Sequence, residues 1–78
     1  MKEVEFLKFV IEWLVNHPQD IMIERKEDEL GILLTLQVNK EDMGVVIWKN
    51  GNIVTSIRSL LRILGTKMNK KINLKVLD

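Results

Sequence analysis

The chain contains no cysteine and no tyrosine, and only one histidine and one proline in 78 residues. Without cysteine, disulfide staples and thiolate metal sites are excluded, and a lone His17 excludes a multi-histidine metal site. No apolar run approaches the roughly 18 residues that a membrane span requires. The start of the chain, with Lys2 outnumbered by Glu3, Glu5 and Glu12, is unlike the positive leading segment of a signal peptide. A cytoplasmic location and no membrane partner are therefore expected. Repeats, low-complexity tracts and linkers are also missing, so residues 1–78 read as a single small domain. Such a domain buries about 60–65% of its unfolded surface, which makes a thin core.

Catalytic signatures are missing as well. There is no nucleophile–base pair and no phosphate-loop motif, so no enzyme and no cofactor are expected. Glu27-Asp28-Glu29 reads as a solvated turn rather than an acid–base pair. His17, directly before Pro18, reads as a histidine favoured by the negative end of a helix.

What is present is unevenly distributed. Residues 1–39 carry four Lys or Arg against eight Asp or Glu, whereas residues 40–78 carry eight against three. That asymmetry points to a polyanionic partner for the second half or to acidic solvent faces on the first. Lys2–Asn16 has helical periodicity, with Val4, Leu7, Ile11, Leu14 and Val15 on one face. Phe6, Phe9 and Trp13 form a second apolar stripe on the far side. A domain this small can hardly cover both, so the stripe is a candidate partner surface.

Asp20–Lys26 and Gly31–Val38 read as strands of a hairpin, with Ile32, Leu34, Leu36 and Val38 alternating against Leu33, Thr35 and Gln37. Asn39 or Asp42 is placed to cap a short helix ending near Ile47. Trp48-Lys49-Asn50-Gly51 is a tight loop. A helix from Asn52 to Gly65 follows, with Ile53, Ile57, Leu60 and Leu64 inward, Val54 and Leu61 on the flanks, and Gly65 as its stop. Arg58 and Arg62 lie opposite. Ile72–Leu77 is the last strand. A helical crossover between the second and third strands predicts parallel pairing. The expected fold is α+β: a three-stranded mixed sheet covered on one face by three helices.

The order α-β-β-α-α-β is that of the type II, prokaryotic KH domain. Asn16-His17-Pro18-Gln19-Asp20, Lys40-Glu41-Asp42-Met43-Gly44, Val46-Ile47 and Ser56-Ile57-Arg58 resemble the small stand-alone bacterial KH proteins of the KhpA family. The resemblance covers essentially the whole chain. It implies an RNA-binding protein with chaperone character and a link to cell shape. It also implies a homodimer, or a heterodimer with another KH-containing protein.

In that family the loop usually reads Val-Ile-Gly-Lys-x-Gly-Arg, and here it reads Val46-Ile47-Trp48-Lys49-Asn50-Gly51-Asn52. Glycines let a phosphodiester backbone lie directly on such a loop. Trp48 in place of the first one either blocks the clamp, stacks on a base for about 1–3 kcal/mol, or packs on a partner. The resemblance places RNA contacts at Ile47, Trp48, Lys49, Asn50, Gly51, Asn52 and Arg58, with the edge near Leu33, Thr35 and Gln37 as a groove for bases. The partner surface is expected at Phe6, Phe9, Trp13, Val54 and Leu61. The alternative is a KH-fold interaction module with weakened RNA binding. A helix-turn-helix DNA binder needs a longer first helix than Met43–Ile47 provides.

Overall fold

The computed structural model describes residues 2–48 and 53–77, and the side chains of Ile47 and Trp48 are outside that description. Helix α1 spans Lys2–Leu14, strand β1 Met22–Asp28, strand β2 Gly31–Gln37, helix α2 Ile53–Met68 and strand β3 Ile72–Val76. Between β2 and α2 the chain makes a 3-10 turn at Lys40–Asp42 and a π-helical turn at Gly44–Trp48. These two turns occupy the place of the expected short helix. The sheet order is β1-β2-β3, antiparallel between β1 and β2 and parallel between β2 and β3. The mixed sheet and the helical crossover agree with the expected α+β KH topology.

The core forms where the periodicities meet. Leu7, Ile11 and Val15 from α1 pack with Ile32, Leu34, Leu36 and Val38, with Ile57 and Leu61 of α2, and with Ile72 and Leu74. Register explains the sheet's contribution: Ile32 pairs with Ile72, and Leu34 with Leu74, so their side chains share one face. The opposite face stays open, with Met22 and Leu33 exposed on it.

Several boundaries differ from the sequence expectation. β1 begins at Met22 because Pro18–Asp20 makes a 3-10 turn, and it absorbs Glu27 and Asp28. The hairpin turn is Glu29-Leu30, where the Asp28 carboxylate accepts from the N–H groups of Leu30 and Gly31. Gly31 has φ +138°, and a Cβ there would sit 2.2 Å from the Lys71 carbonyl oxygen. That contact accompanies the 2.7 Å bond from Ile32 N–H to the same oxygen, which starts the β2–β3 pairing.

Gly65 does not stop α2. It is buried inside the helix, and a Cβ on it would lie 2.4 Å from the Lys70 carbonyl oxygen. The chain turns instead at Asn69, whose φ is +56°. Lys70 N–H donates to Gly65 O at 2.9 Å and Asn69 N–H to Thr66 O at 3.3 Å, the bond pair of a Schellman cap.

The inward face of α2 is also rotated from the expected one. Ile57, Leu61 and Gly65 are buried, whereas Leu60 is 47% exposed. Leu61 therefore belongs to the core and not to a partner surface, and Val54 packs against the same core.

Candidate nucleic-acid interface

Strand β3 is an edge strand, and its outer side is the start of the site. Ile32 N–H donates to Lys71 O and Leu77 N–H to Leu36 O. In a parallel pair that alternation turns the N–H and C=O groups of Ile72, Leu74 and Val76 away from β2. Alongside runs α2, carrying Arg58, Arg62 and Thr66 at a spacing of four, one above another. Between helix and strand lies an open groove of about 520 Å³, walled by Arg58, Arg62, Thr66 and Asn69 on one side and residues 70–74 on the other. Arg58 leans across it: Nε and Nη2 donate to the Leu74 carbonyl at 3.4 and 3.3 Å.

The groove is basic. Arg58, Arg62 and Lys71 are exposed on its walls. Lys70 also lines it, but its ammonium is bonded to Glu27. Lys67 faces elsewhere, beside Phe6, Leu60, Ile63 and Leu64. Leu33, Thr35 and Gln37, expected to offer a groove for bases, do not line this one. They lie on the central strand and point to the open face, because the edge next to α2 is β3. Lys49, Asn50, Gly51 and Asn52, with the side chains of Ile47 and Trp48, lie outside the described residues.

Two buried carboxylates, neither legible as such in the sequence, position the elements around this groove. Asp42 accepts from Asn16 N–H at 2.9 Å, His17 N–H at 3.0 Å and His17 Nδ1 at 3.1 Å. It thus fastens the end of α1 to the turns that lead to Trp48. The Asn16 N–H, opposed by burial and joined by the two His17 contacts, holds the Asp42 carboxyl below its ordinary value. Asn39, the other candidate cap, accepts from Glu41 N–H at 2.8 Å. Glu3, fully buried near the start of α1, pairs with Arg25 on β1. Burial pushes the Glu3 carboxyl up, but its own backbone N–H and the Arg25 guanidinium reverse this and hold it low.

The expected partner stripe is largely exposed. Phe9 and Trp13 are 63% and 79% exposed and meet edge-to-face with centroids 6.4 Å apart. Phe6 is partly buried against the core and forms the wall of a shallow apolar groove with Leu60, Ile63 and Leu64. Leu60 and Ile63, and not Val54 or Leu61, are large apolar residues that α2 exposes. Among the described residues no helix is long and apolar enough to cross a membrane. None of their His, Asp and Glu side chains form a cluster of three or more able to hold a metal ion.

A hairpin strand, a helical crossover and a parallel edge strand beside a basic helix define the chain as a type II KH domain. The KhpA/KhpB KH-domain family model matches residues 4–76, and the chain belongs to that family. It is 39% identical over 74 residues to the RNA-binding protein KhpA of Listeria monocytogenes, covering 95% of this chain and 97% of that one. Identity to RNA-binding protein KhpA of Bacillus subtilis is 34%, over 95% of this chain and 91% of the relative. For the namesake in Borreliella burgdorferi it is 32%, over 97% and 93%.

Proposed function

We propose that the chain binds single-stranded RNA in the α2–β3 groove. The observation that carries this is a groove with cations on both walls, Arg58 and Arg62 facing Lys71, beside the outward backbone groups of an edge strand. Cations hold phosphates in any sequence, and edge N–H and C=O groups suit the hydrogen-bonding edges of unstacked bases. Relatives that share nearly its full length carry the name RNA-binding protein. In this reading Lys49 and the backbone of Asn50, Gly51 and Asn52 grip phosphate, and Arg58 sits over the floor of the groove.

The test is fluorescence anisotropy of a labelled short single-stranded RNA at about 50 and 200 mM salt. Micromolar or weaker affinity that falls as salt rises is expected, and no binding at the lower salt sinks the reading. Trp48→Gly tightens binding if the indole blocks the clamp and weakens it if the indole stacks on a base.

A second reading, assembly, is favoured by the exposure of Phe9, Trp13, Leu60 and Ile63. Here the α1–α2 apolar surface pairs with a second copy or with another KH-containing protein, consistent with a chaperone-like role. Sedimentation is expected to give a species larger than 9.1 kDa. A strict monomer at high concentration removes this reading. Self-association without RNA binding makes the chain an interaction module instead.

A further inference from the structure

Four charged side chains run in a line from the start of α1 to the groove. Buried Glu3 pairs with Arg25 Nε; Arg25 Nη2 donates to Glu27 at 2.7 Å; Glu27 accepts from the Lys70 ammonium. The last link is unusual in its direction. Lys70 lines the groove beside β3, yet its charge is drawn to β1, the strand on the other edge of the sheet.

We infer that Glu27 is an intramolecular competitor for RNA phosphate, holding the Lys70 ammonium away from the groove and setting RNA affinity below what its cations would give. This rests on the RNA-binding reading above. Glu27 keeps a second cation, Arg25, which is itself fixed from behind by Glu3. When Lys70 leaves, Glu27 keeps its bond to Arg25 and its exposure to water, although one guanidinium then serves two carboxylates. The pair is also accessible, with Lys70 41% and Glu27 31% exposed, and ion pairs at such sites hold weakly. A phosphate in the groove competes with Glu27 for the same ammonium, and each phosphate engaged adds to the salt dependence of binding.

The experiment measures binding of a fluorescein-labelled single-stranded RNA 12-mer of mixed sequence to wild type, Glu27→Gln, Lys70→Gln and the double variant. Glu24→Gln is the control, because it removes the same charge from the open face of the same strand, where Glu24 lies 3.9 Å from Lys26. Glu27→Gln is expected to tighten binding about threefold at 50 mM salt, with most of that gain gone at 200 mM, since one added phosphate contact changes single-strand affinity about 2.6-fold over that range. The gain is absent in the Lys70→Gln background and absent for Glu24→Gln. No gain, a gain that survives Lys70→Gln, or an equal gain from Glu24→Gln overturns the inference.

Should Glu27→Gln fail to fold, Lys70→Gln alone decides. A sequestered ammonium predicts a much smaller loss of affinity than Arg62→Gln produces, and an equal loss overturns the inference. Wild type that binds without the Glu27 effect removes only this inference, whereas wild type that does not bind at 50 mM salt removes the RNA reading and this inference with it.

Discussion

Asp42 holds three donors on one fully buried carboxylate, two of them backbone N–H groups at the end of α1. Its pKa is lowered in the folded chain, so its contribution is complete above the unfolded aspartate value of about 3.9 and is lost as pH falls through the lower folded value. Glu3 is lowered too and acts in the same direction. Thermal melts followed by circular dichroism should show a stability plateau near neutrality that drops below about pH 4. Asp42→Asn, which keeps one acceptor, should melt several degrees lower at neutral pH and lose less on acidification. An unchanged acid slope would remove Asp42 from this account. Gly65 gives a second residue-scale outcome. In an open helix Gly→Ala stabilises by about 1 kcal/mol, but here the new Cβ would meet Lys70 O at 2.4 Å. Gly65→Ala should therefore destabilise, by about 1–3 kcal/mol, and a denaturant titration that shows a gain would refute the contact.

At the scale of elements, α2 carries three surfaces. Ile57, Leu61 and Gly65 face inward; Arg58, Arg62 and Thr66 flank them toward β3; Leu60, Ile63 and Leu64 flank them toward α1. Two adjacent leucines should then behave differently. Leu61→Ala should cost about 2–5 kcal/mol of stability as a buried truncation, while Leu60→Ala changes stability little and acts on self-association. Likewise Arg62→Ala should weaken RNA binding and reduce its salt slope by about 0.7, whereas Lys75→Ala, on the open face of β3, should do neither. This rotation was not legible locally. The stripe Ile53, Ile57, Leu60, Leu64 fits a helix as well as Ile57, Leu61, Gly65 does, and a glycine near a helix end reads as its stop and not as part of a buried face. Gly65 stays helical because the chain beyond it returns within contact distance, a tertiary demand that outweighs local preference. The alternation in β2 and β3 was legible because one face of each strand is buried and the other is open. Glu3–Arg25 and Asp42–His17 were not, because their partners lie 22 and 25 positions apart.

For the whole molecule, the placement of these surfaces has a consequence for RNA. The basic groove and the exposed Phe9, Trp13, Leu60 and Ile63 lie on opposite flanks of α2, with the buried stripe between them. A second copy docked on the apolar flank therefore leaves both grooves open. If the proposed RNA groove and the proposed dimer both hold, two grooves on one particle bind a long strand at two points, the second contact at a high effective concentration. A strand that reaches only one groove gains nothing from the dimer. The two properties should then separate in one substitution. Leu60→Asp puts a charge in the apolar patch and should shift sedimentation toward monomer. It should leave affinity for a short oligonucleotide within about twofold and weaken binding to a strand long enough to bridge two grooves by tenfold or more. Equal loss for short and long RNA would mean that the substitution damages the groove itself. No loss for either, with dimerisation abolished, would mean that each protomer acts alone on RNA and that the apolar flank serves assembly for another purpose.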